Sequence, residues 1–223
     1  EVGAPDFGKV FRCRCRKAED EKASRDALRR WCALPAAMER CTFEALERRR
    51  AVVGWDAAVE FCRRYALGET SEPFVLLAGP NGTGKTHLGL AILNWRLLHG
   101  GPYGRYTNTA RWLKELQATF ARQPRPAEGE SATELTYEEV WASYTQAPLV
   151  MLDDLGMEKT TEWTGPTLSE FLDQRYREER ATIITTNLTR NSFGPWLDSR
   201  LRERRLVKAI LLDGPDYRLK GGA

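Results

Sequence analysis

Short runs of consecutive apolar residues alternate along the chain with longer stretches in which apolar residues recur every three or four positions. The short runs predict buried strands, and the longer stretches predict helices with an apolar face. The predicted strands cover residues 74–78, 105–107, 148–152, 181–187 and 207–212. The predicted helices cover residues 23–32, 50–67, 86–99, 110–120, 136–144, 165–179 and 196–204. Strands that alternate with helices indicate an α/β fold with a parallel sheet.

The most specific motif in the chain follows the first predicted strand. Residues 79–86 read GPNGTGKT and meet the phosphate-loop pattern G-x-x-x-x-G-K-[ST]. Such a loop directs successive backbone N–H groups and the start of a helix at one anion, whereas an ordinary glycine-rich turn is the alternative reading. Lys85 is then expected to neutralise the outer phosphates, and Thr86 to bind Mg²⁺. The predicted nucleotide-binding residues are Gly79, Pro80, Asn81, Gly82, Thr83, Gly84, Lys85, Thr86 and His87.

Polar residues follow two further predicted strands. Asp153 and Asp154 come directly after the apolar run 148–152, and Asn187 ends the run 181–187. Because ligands of open parallel sheets bind beyond the carboxyl ends of the strands, these three side chains are candidates for the same site. We expect Asp153 to bind Mg²⁺, Asp154 to polarise the attacking water, and Asn187 to hold that water or a phosphate oxygen. A turn or helix-cap role is the alternative for each of them.

Four arginines crowd into positions 200–205. On the predicted helix 196–204, Arg200 and Arg204 are four residues apart and share one face. A helix this late in the domain is badly placed to reach its own phosphates, so we expect Arg200 to act on the nucleotide of a neighbouring subunit. A solvent-facing basic helix is the alternative.

Composition sets limits on the class of protein. The 223 residues carry a net charge of +3, and no apolar run approaches the roughly 20 residues that cross a bilayer. The sequence begins without Met and without a signal peptide, so we expect a cytoplasmic protein that has further residues upstream. The five cysteines are an odd number and are expected to be reduced. Cys13 and Cys15 bind Zn²⁺ only if upstream residues complete a four-ligand set.

Together these motifs resemble the AAA+ ATPases, and within them the DnaC/IstB-like group of helicase loaders and transposition helper ATPases. The segments that carry the resemblance are GPNGTGKTHL (79–88), VMLDDLG (150–156), FLDQRYREERATIITTNL (171–188), SRL (199–201) and GPDYR (214–218). The resemblance implies a P-loop AAA+ core with a central parallel five-stranded sheet flanked by helices and without a C-terminal helical lid domain. It also implies that the first two segments are Walker A and Walker B, that Asn187 is sensor 1, and that Arg200 is the arginine finger. Asp154 departs from the glutamate that most AAA+ enzymes carry at this position.

The resemblance implies two domains and a function. Residues 1–42 are expected to form a partner-binding segment, and residues 43–223 to form the ATPase domain. Within that domain, the Pro-, Glu- and Ser-rich composition of residues 122–133 predicts a flexible loop. The expected function is an ATP-hydrolysing loader that self-associates through Arg200, binds single-stranded DNA and delivers a replicative helicase. The alternative is an IstB-like helper that binds double-stranded DNA and a transposase; a nucleotide switch without useful hydrolysis is a third, weaker reading.

Two sets of aromatic and polar residues are candidates for contacts with ligand bases. Tyr106, Trp112 and Phe120 are consistent with stacking on single-stranded DNA, but packing in the core is the favoured reading for each of them. Thr42 and Phe43 are candidates for the adenine contact by position.

Overall fold

The computed structural model describes residue 23 and residues 26–46, 51–101, 104–120, 135–158, 161–188, 195–200 and 202–217. The strands are β1 (Phe74–Ala78), β2 (Gly104–Asn108), β3 (Leu149–Leu155), β4 (Ala181–Thr186) and β5 (Val207–Leu211). The helices are α1 (Trp55–Leu67), α2 (Lys85–Leu98), α3 (Thr109–Thr119), α4 (Tyr137–Thr145), α5 (Thr164–Arg177) and α6 (Pro195–Arg200). Residues 26–31 are also helical, and a 3₁₀ turn covers Ala36–Met38.

The five strands form one parallel sheet in the order β2-β3-β4-β1-β5. The strand β1 lies between β4 and β5, and its burial on both faces explains why its sequence is a continuous apolar run. The loop between β1 and α2 therefore leaves the sheet at its carboxyl edge, beside the ends of β3 and β4. The predicted five-stranded parallel sheet is confirmed.

Helices cover both faces of the sheet and create two separate cores. On one face, α1 and α2 pack on the sheet through buried residues such as Cys62, Leu88 and Ile92. On the other face, α3, α4 and α5 enclose the side chains of Trp112 and Phe171, whose ring centroids are 4.5 Å apart. These cores hold the phosphate-loop helix and the strand β3 in fixed positions relative to each other.

A buried arginine joins α5 to the amino edge of the sheet. Arg175 is 0% exposed, and its guanidinium donates hydrogen bonds to one hydroxyl and four backbone carbonyls. These acceptors are Thr182 Oγ1 and the carbonyls of Tyr144, Thr145, Ala147 and Ala181. Burial, and next the nearby Arg180, lower the pKa of Arg175 to about 9. The helix pattern around residue 175 did not predict this anchor.

Three predicted boundaries differ from the structure by three residues or more. The helix predicted over residues 50–67 begins at Trp55, because Gly54 adopts a left-handed conformation (φ 82°) that interrupts a helix. The helix predicted over 196–204 ends at Arg200, so Arg204 lies in a turn that leads the buried Leu206 into β5. The strand predicted over 148–152 continues to Leu155, which places both aspartates within β3.

Between β5 and residue 217, the described residues form no α-helix. No helix among the described residues has the length and apolar character needed to cross a membrane. Cys13, Cys15 and the predicted loop at 122–133 lie outside the described residues.

Candidate functional site

Three glycines allow the phosphate loop to wrap tightly. Gly79, Gly82 and Gly84 all have positive φ values, of 144°, 73° and 98°. A Cβ atom on Gly79 would lie 1.9 Å from the backbone oxygen of Leu212, and one on Gly82 would lie 1.7 Å from Oδ1 of Asp216. Both the backbone conformation and the space therefore require glycine at Gly79 and Gly82.

Lys85 places its ammonium group against the loop itself. Its Nζ atom donates hydrogen bonds to the carbonyls of Gly79 (2.8 Å) and Pro80 (2.7 Å), and the residue is only 5% exposed. Thr83 closes the same loop, because its hydroxyl donates to the Pro80 carbonyl at 2.9 Å. The loop thus holds a positive charge at the start of α2, where the helix dipole also favours an anion.

Asp153 is a buried carboxylate that several hydrogen bonds hold in place. Its Oδ1 atom accepts hydrogen bonds from the hydroxyls of Thr86 (2.8 Å) and Thr185 (2.6 Å), and its Oδ2 atom accepts one from Tyr106 (3.1 Å). Asp153 is 4% exposed, and its backbone carbonyl accepts a further bond from the Thr109 hydroxyl at 3.0 Å. The structure therefore brings the end of the phosphate loop and the end of β3 into direct contact.

The same contacts form a ligand set that suits a hard divalent cation. Mg²⁺ prefers oxygen ligands and is usually held by one or two carboxylates together with phosphate oxygens and water. The Thr86 hydroxyl and the Asp153 carboxylate are both oxygen donors, and they already lie 2.8 Å apart. Among the described residues, no group of three or more His, Cys, Asp or Glu side chains is placed to hold a metal by itself. The residues present thus fit an ion that is shared with a nucleotide.

Tyr106 and Trp112 do not lie where base stacking requires them. Tyr106 is 7% exposed, and burial followed by the charge of Asp153 raises the pKa of its phenol. Trp112 is 0% exposed within the core between α3 and α5. The core packing expected for these two residues is therefore confirmed, because the rings fill the protein interior. Phe120 is 62% exposed, and for this residue stacking stays a prediction.

Asp154 faces the site because the strand is irregular. Successive residues of a regular strand point to opposite faces of the sheet, yet Asp153 contacts Thr86 while Asp154 lines the adjoining cleft. Asp154 has a left-handed backbone conformation (φ 58°), and the pairing register of β3 with β4 shifts between Leu152 and Leu155. A bulge of this kind redirects a side chain.

Two neighbouring groups hold Asp154 in this orientation. Its backbone N–H donates to the Thr185 hydroxyl at 2.9 Å, and Asn108 Nδ2 lies 3.5 Å from its Oδ2 atom. Thr185 therefore contacts both aspartates, through the side chain of Asp153 and the backbone of Asp154.

A cleft of about 350 Å³ opens beside these groups. The residues that line it are Asn81, Gly82, Gly84, Lys85, Thr86, His87, Asp154, Met157 and Asn187. Asn187 therefore shares the cleft with Asp154, as the sequence predicted from the strand ends. Met157 was missed: it is 61% exposed at this cleft, and its sequence context offered no signal.

Arg200 lies away from the phosphate loop of its own chain. Its guanidinium carbon is 4.8 Å from the centroid of the Tyr176 ring, and its NH2 atom is 3.7 Å from Oδ1 of Asp173. Tyr176 packs in turn against Phe74, the first residue of β1, whereas the loop follows Ala78 at the other end of that strand. The structure therefore does not bring Arg200 together with the other predicted site residues.

The segment before α1 reaches the site at one point. His87 Nε2 lies 3.2 Å from the backbone oxygen of Thr42. Phe43 is 3% exposed, and the Arg63 guanidinium covers its ring at 4.9 Å. This burial leaves the Phe43 ring no surface for a base, so the adenine contact predicted for Phe43 is wrong. The adenine contact of Thr42 stays a prediction.

Comparison with known proteins places this geometry in a family. The model of the IstB-like ATP-binding proteins matches residues 19–214, which is most of the chain. The chain belongs to this family.

Among curated relatives, this IstB-like chain is 27% identical over 153 residues to the replicative helicase loader DnaC of Buchnera aphidicola subsp. Acyrthosiphon pisum. It is 29% identical over 151 residues to a Mycobacterium tuberculosis protein named as ATP-binding in an insertion sequence. The alignments cover 67% and 65% of this chain, but only 58% and 55% of the relatives.

Solved structures support the fold of this IstB-like chain. The DnaC helicase loader superposes with a TM-score of 0.62 at 23% identity, over 79% of this chain and 99% of that one. AMPPCP-bound DnaA from Aquifex aeolicus superposes with a TM-score of 0.59 at 22% identity, over 77% of this chain and 50% of that one. These likenesses confirm the predicted P-loop AAA+ fold.

Proposed function

We propose that this chain binds and hydrolyses Mg-ATP in the cytoplasm and couples that cycle to assembly on DNA. The observation that carries the proposal is the 2.8 Å hydrogen bond between the Thr86 hydroxyl and the Asp153 carboxylate. It joins the phosphate loop to an acidic strand end, and this pairing is the one that holds Mg²⁺ in P-loop NTPases.

Each group at the cleft has a distinct task in this proposal. The backbone N–H groups of the loop and the Lys85 ammonium bind and orient the phosphates. Thr86 and Asp153 would hold Mg²⁺, which neutralises charge on the phosphate oxygens when it is bound. Asp154 orients the attacking water and accepts its proton, and Asn187 donates a hydrogen bond to that water or to a phosphate oxygen.

Asp154, rather than Asp153, suits the task of the base. Asp153 is 4% exposed and accepts three side-chain hydrogen bonds, so an attacking water has little access to it, although a carboxylate with about four lone-pair sites can still bind a metal ion. Asp154 lines the open cleft beside Asn187, where a water molecule has access.

Arg200 completes the site from a neighbouring protomer. Its position near Asp173 and Tyr176, at the end of β1 opposite the phosphate loop, supports a role in trans. Assembly then depends on nucleotide, because an arginine finger binds the terminal phosphate.

The curated relatives are of two kinds, helicase loaders and insertion-sequence ATP-binding proteins, and each kind suggests a different biological role. We place the chain first among helicase loaders, where assembly on single-stranded DNA would deliver a replicative helicase through the N-terminal segment. Similarity to DnaC at 27% identity and the exposed ring of Phe120 support this order. The alternative is a transposition helper that binds double-stranded DNA and a transposase. The IstB-like family model and the insertion-sequence relative favour it.

Sizing by light scattering tests the proposal in one series. The protein is measured with ATP or ADP, each with single-stranded DNA, double-stranded DNA or no DNA. Growth of the assembly with ATP and single-stranded DNA supports the loader, and preference for double-stranded DNA supports the transposition helper. An assembly state that is the same under all conditions contradicts both. Capture by a replicative helicase or by a transposase then identifies the partner.

A further inference from the structure

Tyr106 brings a single polar atom to the metal-binding side of the site. Its ring is buried on β2, in register with Met151 on the neighbouring strand. Its hydroxyl reaches Oδ2 of Asp153 at 3.1 Å. A phenylalanine would fill the same space, so packing alone does not explain a hydroxyl at this position.

The two oxygens of Asp153 are held from two directions. Oδ1 accepts hydrogen bonds from Thr86 on α2 and Thr185 on β4, whereas Oδ2 accepts its bond from Tyr106 on β2. The torsion that rotates an aspartate carboxylate is broad and only weakly restricted by itself. Hydrogen bonds from both neighbouring strands restrict it, and they keep Oδ1 beside the Thr86 hydroxyl.

The backbone of Tyr106 is also fixed on its outer side. The strand β2 is at the edge of the sheet, and the Tyr106 N–H donates to the Cys32 carbonyl at 2.8 Å. The chain segment before α1 therefore covers β2 at the same residue whose side chain holds Asp153.

We propose that Tyr106 is a positioning residue that orients the Asp153 carboxylate for Mg²⁺ bound with a nucleotide. This inference rests on the proposed function, and it adds a residue that acts through Asp153 without contact with the substrate. Its effect is therefore expected on the dependence of nucleotide binding on Mg²⁺, and the affinity for nucleotide without metal is expected to stay unchanged.

Tyr106→Phe tests the proposal because it removes the hydroxyl alone. Binding of a fluorescent ATP analogue is titrated with Mg²⁺, and separately in EDTA. We expect the Mg²⁺ concentration for half-maximal binding to rise by about 10-fold or more, as losses of outer-shell partners of metal ligands do. Tyr65→Phe is the matched control. Its buried hydroxyl donates to the Pro73 carbonyl at 2.8 Å, before the start of β1 and remote from Asp153.

The outcomes separate this inference from the proposed function. If the parental protein binds the analogue without any response to Mg²⁺, the proposed function fails and the inference fails with it. If the parental protein responds and Tyr106→Phe responds at the same Mg²⁺ concentration, only the role of Tyr106 is overturned. Equal shifts in Tyr106→Phe and Tyr65→Phe also overturn it, because they indicate a general loss of packing. Tyr106→Met, which fills much of the space without a hydroxyl, replaces the phenylalanine variant if that variant does not fold.

Discussion

Asp153 and Asp154 are adjacent in sequence, but the bulge in β3 leaves Asp153 buried and opens Asp154 to the cleft. Asp153 is buried against Thr86, whereas Asp154 lines the open cleft. The left-handed conformation of Asp154 produces this separation, since a regular strand would direct it to the other face of the sheet. Such strain at a non-glycine residue is typical of a functional site.

Asp154→Asn tests the role that this geometry gives the residue. We expect the turnover of ATP to fall by about 10²-fold or more, because a positioned general base contributes a factor of that order. The affinity for Mg-ATP should change little, since Asp153 and Thr86 remain in place. Steady-state hydrolysis and binding of a fluorescent analogue measure the two effects.

Asp153→Asn is the comparison, and it should weaken Mg²⁺-dependent binding itself. Parental turnover in Asp154→Asn would show that another group activates the water.

Arg200→Ala tests the arginine supplied in trans. We expect turnover to fall by about 10³-fold, in line with the effect of arginine fingers, with nucleotide affinity nearly intact. Arg177→Ala is the matched control, because Arg177 pairs with the same Asp173 but is not assigned to the neighbouring site.

Mixing two inactive variants decides whether Arg200 acts between protomers. Arg200→Ala keeps Asp154, and Asp154→Asn keeps Arg200, so a mixed assembly contains some sites with both groups. We expect the mixture to regain part of the parental turnover. A mixture as inactive as its components would refute action in trans.

The sequence was sufficient for those parts of the fold that depend on local pattern. Continuous apolar runs identified β1 and β3 because central parallel strands are buried on both faces. The phosphate loop could be predicted because its glycines and Lys85 act through a fixed local spacing. The position of Asp153 beside Thr86 also followed, since both lie at carboxyl ends or loops of the same sheet edge.

The remaining features depend on contacts between distant residues. The bond from Tyr106 to Asp153 depends on the register of β2 with β3, which no local pattern encodes. The burial of Arg175 among backbone carbonyls depends on how α5 docks at the amino edge of the sheet. The end of α6 at Arg200 depends on the turn that carries Leu206 into the core.

Gly82→Ala tests the tight packing of the phosphate loop. We expect it to weaken nucleotide binding strongly, because the new Cβ would meet Asp216 at 1.7 Å and the backbone has φ 73°. Gly68→Ala is the matched control, since Gly68 has φ 78° but no atom within 4 Å of the added Cβ. The control should lose only about 1–2 kcal/mol of stability, the cost of a left-handed conformation, and keep its nucleotide affinity. Urea unfolding and analogue binding measure both quantities. Equal nucleotide affinity in the two variants would contradict the expected crowding at the loop.

Cys62→Ala tests a prediction about stability at alkaline pH. Cys62 is 0% exposed, and burial raises the pKa of its thiol from 9.0 to about 12. Between these values the unfolded chain releases the thiol proton while the folded protein retains it, so the free energy of unfolding falls as the pH rises. The parental protein should therefore lose about 1 kcal/mol more than Cys62→Ala between pH 8 and pH 10. Urea unfolding at both pH values measures this difference, and each variant serves as its own reference at pH 8.

Cys41→Ala is the control, because Cys41 is only half-buried and its removal should change the loss less. If Cys62→Ala loses as much stability as the parental protein over this range, the thiol does not stay protonated in the folded core.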